Sequence, residues 1–188
     1  MAINFSSKQM NHAIKALQAI PGGVERAAVP ALNRANQSAR AEGLRKLTET
    51  YTAKRADIVK TLRMTKATRT SLVSGFSSKS PRMPLTAFSV SPRKPTVRGE
   101  KVRVSVRRDS GSKTISRGFL NKGTSSGRLQ VLQREGLSRY PIQTLFGPSP
   151  AQMLNEEGVR ESVEKRASEV LERRFDHEIG RLLRSKLK

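Results

Sequence analysis

The sequence predicts an α+β fold: N-terminal helices, a central and mostly antiparallel β-sheet, and a long C-terminal helix. Apolar residues recur at helical spacing before residue 51 and again after residue 149. Between about residues 65 and 133 that spacing gives way to alternation in a texture of Ser, Thr, Val, Gly and Pro. At 188 residues the chain suits one domain with a core, and two compact domains would be tight. Within that single domain, residues 1–50 read as N-terminal helices, 51–140 as a basic helix and sheet core, and 141–188 as a junction followed by the long helix.

Ser6-Ser7 reads as the cap of a first helix, with Met10, Ile14, Leu17 and Ile20 on one side and Pro21-Gly22-Gly23 as its end. A second helix carries Ala27, Ala28, Ala31, Leu32, Ala35, Ala39 and Leu47 on or near one stripe, a pattern that permits close packing. Pro30 either sits in its first turn or kinks it, since a helix-interior proline costs about 3 kcal/mol. Tyr51 to about Leu62 reads as a shorter helical segment, with Ala56, Ile58, Val59 and Leu62 apolar.

Val102, Val104 and Val106 alternate with Lys101, Arg103, Ser105 and Arg107, which predicts a strand with one apolar and one cationic side. Asp109–Ser112 reads as a turn and Lys113–Leu120 as the hairpin partner. Leu72–Ser77, Leu85–Val90 and Leu129–Gln133 are further strands. Ser77–Pro84 and Ser91–Gly99 read as exposed basic loops, and Asn121–Gly127 as a flexible one without a phosphate-binding glycine pattern.

The most legible stretch runs from Arg139 to Pro150. Ser149 caps, Pro150 takes the first helical position and Gln152 closes a capping box. Gly147-Pro148 makes a tight turn. Ile142, Leu145 and Phe146 cannot all face water cheaply, because burying such a side chain is worth roughly 1.5–3 kcal/mol. Beyond Ser149 the chain reads as helical to near its end. Met153, Val163, Ala167, Val170, Leu171, Phe175, Ile179, Leu182 and Leu183 form the apolar stripe; Glu156, Glu161, Glu164, Arg166, Glu172, Arg173 and Arg184 lie opposite, and Gly158 permits a bend.

The charge is distributed unevenly. Residues 52–149 hold 21 basic and four acidic residues, whereas residues 1–51 hold seven and three and residues 150–188 nine and eight. The net +22 is therefore concentrated in the middle segment, where it attracts polyanions and above all nucleic acid. Apolar content of 35% with no Trp is below the roughly 45–50% of ordinary domains, a benchmark that also counts Gly, so subunit interfaces are expected to complete the burial. The absence of Cys removes disulfides, thiol catalysis and zinc fingers. No apolar run approaches the ~20 residues needed to span a bilayer, and Met1–Phe5 lack the start of a signal peptide. A chain soluble when made, with no membrane partner, is the expectation.

Catalytic chemistry is hard to assemble from these residues. His12 sits among early helix residues, and in Asp176-His177-Glu178 neighbours point to different sides of a helix. Glu172, Asp176 and Glu178 read more simply as partners for Arg173, Arg174 and Arg181 than as metal ligands. The expectation is no catalytic residue, no metal and no cofactor.

The run Pro141-Ile142-x-x-Leu145-Phe146-Gly147-Pro148-Ser149, followed by Pro150-Ala151-Gln152-Met153-Leu154, resembles the signature of the minor tail protein Z family of lambda-like phages and prophages. Tyr51-x-x-Lys54-Arg55-Ala56-Asp57-Ile58, Pro84-Leu85-x-x-Phe88 and Gly118-Phe119 follow in that family's order, so the resemblance covers about residues 50–155. It implies a structural tail-completion component, present in the virion at the head-proximal end of the tail and in the host cytoplasm during assembly. Its expected partners are further copies of itself in a six-fold ring, the tail terminator or tail tube protein, head–tail connector proteins, and the DNA end. On that reading Arg103, Arg107, Arg108, Lys113 and Arg117 are the candidates for a DNA-facing lumen. Pro141, Ile142, Leu145, Phe146, Gly147, Pro148 and Ser149 would support folding or subunit contact. The competing reading is a basic, non-catalytic nucleic-acid-binding protein, nucleoid- or ribosome-associated, although it has few aromatics for base stacking.

Overall fold

In a computed structural model, residues 20–123 and 127–186 are described. The helix expected over residues 6–20 lies, but for its last residue, outside the described residues, as do His12 and the centre of the 121–127 loop. The elements are α1 (Gly23–Thr50), α2 (Arg55–Val59), β1 (Leu62–Thr65), β2 (Gly75–Ser78), a 3₁₀ turn (Leu85–Ala87), β3 (Ser89–Ser91), β4 (Arg103–Ser105), β5 (Lys113–Thr114), β6 (Gly118–Lys122), β7 (Leu129–Arg134), β8 (Ile142–Thr144), α3 (Pro150–Leu154) and α4 (Glu157–Lys186). The class is α+β. In place of one central sheet the strands make three small ones, β1-β2, β3-β4-β5 and β6-β7-β8, the latter two antiparallel throughout.

The chain forms two compact units. Among the described residues, the first contains 20–43, Arg63–Ser77 and 157–186. Its core is the Ala stripe meeting the stripe of the last helix: Ala27, Ala31 and Ala35 pack with Val170, Leu171, Phe175, Ile179 and Leu182. Alanine at every fourth position lets the larger side chains of α4 approach the α1 backbone closely. Pro30 falls inside α1 rather than at its start, on the exposed side.

The same helix holds the β1-β2 excursion through two asparagines one turn apart. Asn33 Nδ2 donates to the Ala67 carbonyl (3.1 Å), and its Oδ1 accepts from the Ala67 amide (2.8 Å). Asn36, only 6% exposed, donates to the carbonyls of Thr65 (3.0 Å) and Gly75 (2.9 Å) and to Ser74 Oγ (2.9 Å). Side-chain amides here satisfy backbone groups that a two-stranded sheet leaves open.

The second unit comprises Leu44–Leu62 and Ser78–Glu156. The alternation of residues 101–107 is realised: Val102 and Val104 are buried while Lys101 and Arg103 are exposed. In β4-β5, Val104 pairs with Lys113 and Arg103 with Thr114. The expected partner strand 113–120 divides instead. Arg117 adopts φ +55° and the Gly118 amide closes a turn onto the Ile115 carbonyl (3.1 Å), after which β6 joins β7 in a different sheet. Only glycine fits after this turn, because a Cβ on Gly118 would lie 2.6 Å from Ile115 Cγ2.

Other boundaries differ from the periodicity. The helical segment expected over 51–62 shrinks to α2, and residues 62–65, not expected as a strand, form β1. Residues 72–74 stay outside β2, and 85–90 becomes the 3₁₀ turn plus β3. Ile142–Thr144 forms β8, pairing with β7 from Leu132↔Thr144 to Arg134↔Ile142. The C-terminal helix is interrupted at Asn155-Glu156.

Asn36→Ala should lower the unfolding free energy by about 1 kcal/mol, since the buried amide's bonds to the partly open carbonyls of Thr65 and Gly75 are lost. Urea denaturation against wild type measures it, and an effect under about 0.5 kcal/mol would mean the asparagine does not hold the excursion.

Candidate functional site

The stretches that carry the family resemblance lie apart in sequence and meet in the second unit. Residues 145–148 run beside Met83–Leu85: the Leu85 amide donates to Leu145 O (3.4 Å), the Gly147 amide to Met83 O (2.8 Å) and the Met83 amide to Pro148 O (3.4 Å). The Leu145 amide reaches across to Val131 O (2.9 Å), so the strand edge of β7 continues into the motif. Gly147 is buried beneath Phe88, whose Cε2 would sit 2.5 Å from any Cβ at this position. Ser149 caps α3 as its spacing requires: its Oγ accepts from the Gln152 amide (3.2 Å), and its own amide donates to Gln152 Oε1 (2.9 Å). The Tyr51 stretch joins on the other side, with the Thr52 amide on Val106 O (3.0 Å), the Lys54 amide on Ala87 O (3.3 Å) and the Ser89 amide on Thr52 Oγ1 (3.1 Å). Ile142 and Leu145 are half-buried, whereas Phe146 is 48% exposed and Pro141 is exposed.

A four-residue polar cluster ties the ends of this unit together. Glu156, at the break between α3 and α4, accepts from the Tyr51 hydroxyl at Oε2 (2.5 Å) and from Arg107 Nη1 at Oε1. Arg107 also forks onto Asp109 through Nε (3.0 Å) and Nη2 (2.9 Å), and its guanidinium lies 5.7 Å from the centroid of the Tyr51 ring. Burial, reinforced by Glu156, pushes the Tyr51 phenol up to about 12. The bond from Arg107 draws the Asp109 carboxyl down to about 2, and Glu156 is held below the ordinary carboxylate range chiefly by the Tyr51 hydroxyl, against the effect of burial.

The five cations expected on a DNA-facing surface divide by their bonding. Arg107 is committed to the cluster just described. Arg108 serves the end of α1, its Nε donating to Thr48 O (2.9 Å) and its amide to Thr50 O (2.9 Å). A cation there suits the helix dipole, and α1 has no basic residue in its own last turn. Arg103, Lys113 and Arg117 are exposed, with one long bond from Arg117 to Glu135 O (3.5 Å). With six acids for 20 bases in residues 44–62 and 78–156, most of this unit's positive charge has no carboxylate of its own.

Sequence reasoning did not single out Glu156, Asp109 or Phe88 for these roles. Asn155 and Gly158 on either side of Glu156 signalled a helix end, which the uninterrupted apolar stripe masked. Among the described residues no three His, Asp or Glu side chains gather as a metal site, and no helix is long and apolar enough to cross a membrane.

The sequence model of the prophage minor tail protein Z (GPZ) family matches residues 7–188. No curated protein and no solved structure matches the chain.

Tyr51 gives the cluster a pH signature. A phenol that ionises at about 12 when folded and at 10.0 ordinarily binds its proton more tightly in the folded state. Its contribution is complete below pH 10 and is lost as pH rises through about 12. Asp109 works in the opposite sense, contributing above pH 3.8 and less as pH falls through about 2. The chain has two tyrosines, so in the Tyr140→Phe variant ultraviolet titration reports Tyr51 alone. A midpoint near 12, lowered by adding Glu156→Gln, is expected; a midpoint near 10 would contradict the buried bond.

Proposed function

The chain belongs to the prophage minor tail protein Z family, and from that premise we propose that it completes the tail at its head-proximal end as a closed, six-fold ring of identical subunits. In this reading the ring lies between the tail tube or its terminator and the head–tail connector, and holds the DNA end through sequence-independent phosphate contacts. A structural role in a phage tail follows from the family; the ring and the DNA contact are the finer proposal.

The observation that supports the DNA contact is the second unit's charge. Its residues 44–62 and 78–156 hold 20 basic and six acidic residues, a net +14 that their own acids cannot neutralise. Such a surface gains affinity for a duplex by releasing condensed counterions, with no need to read bases. Arg103, Lys113 and Arg117 are the open cations for this contact, and Arg107 and Arg108 add charge from positions fixed by internal bonds. Phe146, exposed beside the buried Gly147, is proposed to lie in a subunit contact.

Light scattering with negative-stain imaging across a concentration series tests the ring. Closed rings, alone or on isolated tail tubes, are expected. A monomer that never joins tails yet shifts duplex DNA would favour a plain nucleic-acid-binding protein. For the DNA contact, Arg103→Ala and Lys113→Ala should each reduce the log–log salt slope of duplex binding by about 1. Unchanged slopes would remove both residues from the contact.

A further inference from the structure

Resting on the DNA-contact reading, we propose that the first unit carries a second phosphate-binding surface, the outer side of the β1-β2 excursion, where Arg63, Lys66 and Arg69 each take a phosphate of the duplex. The chain around it has one sign of charge. Between Asp57 and Glu100 stand nine basic residues and no acidic one, and Arg63, Lys66 and Arg69 are the three that fall in the first unit. The alternation of β1 leaves Leu62 and Met64 half-buried and Arg63 and Thr65 exposed. Lys66 and Arg69 are exposed as well. None of the three cations has an ion-pair partner among the described residues.

A merely solvated basic loop needs no anchorage, but this one is held at both feet. Asn33 brackets Ala67 with two bonds, and Asn36 grips Thr65 on one side and Ser74 and Gly75 on the other. Between those fixed points the tip closes on itself: the Thr68 amide donates to Ser71 O (2.8 Å), and the Ser71 amide donates to Thr68 Oγ1 (3.1 Å). The cations therefore project from an ordered frame, and contact with a duplex costs little further chain entropy. Six residues of chain reach at most ~20 Å, so all three charges fall within one ~34 Å turn of duplex.

The chemistry of the tip suits a phosphate backbone. Thr68, Thr70 and Ser71 place exposed hydroxyls on either side of Arg69, and cations mixed with hydroxyl donors are what proteins commonly present to DNA phosphates. Leu72 and Val73, 41% and 68% exposed, follow the tip, and small numbers of exposed apolar residues are ordinary on a surface. A contact here, apart from Arg103, Lys113 and Arg117, spreads the grip over both units and still reads no base.

Duplex binding by the full chain, measured by fluorescence anisotropy on a random-sequence duplex across a salt series, tests this. Arg63→Ala, Lys66→Ala and Arg69→Ala should each lower the log–log salt slope by about 0.9, and the triple variant by about 2.7. Arg173→Ala removes an exposed cation from α4 of the same unit and should leave the slope unchanged, which separates contact from net charge. All four positions are exposed, and the urea midpoints of the variants should match wild type. A triple variant with the wild-type slope would overturn this contact, while Arg103→Ala and Lys113→Ala would still report on the second unit's. An equal fall with Arg173→Ala would overturn it in favour of net charge. Loss of attachment to isolated tail tubes by the triple variant, with the slope unchanged, would assign the loop to an acidic tail protein and overturn it likewise. A wild type that binds no duplex would remove both DNA contacts together.

Discussion

Glu156 is the interaction on which the second unit depends. It is one of few carboxylates available to a strongly basic segment, and it accepts at once from Tyr51 at the end of α1 and from Arg107 beyond β4. Through Arg107 the bond extends to Asp109, and through Arg108 the same stretch of chain returns to the last carbonyls of α1. Three segments more than forty residues apart in sequence are thereby joined at one carboxylate. The helical chain must break at Asn155-Glu156 to deliver that group, and it does so immediately after the capped turn of α3. The buried Tyr51 hydroxyl's bond to this carboxylate is worth roughly 1.5–3 kcal/mol, against a domain's stability of ~5–15 kcal/mol, whereas the Arg107 pairs are open to solvent and screened.

Much of the helical half was legible because its signals are local. The Ala stripe of α1, the stripe of α4 and the Ser149 capping box each follow from spacing within a few residues, and all three are realised. The strands were legible where alternation was strong, as at Val102 and Val104, and at Leu129–Gln133, which makes up most of β7. Short strands such as β1 and β8 have too few residues for a period to show, and their pairing is decided by long-range contacts. The division of 113–120 turns on a single positive-φ residue, Arg117, which no pattern of polarity reveals. For the site, the type of charge was readable but not its allocation. Arg107 and Arg108 look like their exposed neighbours in sequence, and only the fold shows that one serves Glu156 and the other a helix end.

The two units also differ in how they manage charge. In the first, α4 carries acids and bases in ion pairs along its own surface, such as Arg181 with Glu178 (2.8 Å). In the second, the acids are few, and those at the cluster are spent on architecture, so most of its cations have no carboxylate partner of their own.

The most direct test of the central claim is where the protein sits on a finished particle. Gold labelling of a tagged chain in assembled phage, viewed by electron microscopy, should place the label at the junction of tail and head. Label at the distal tip, along the tube, or absent from particles that are fully assembled would contradict it.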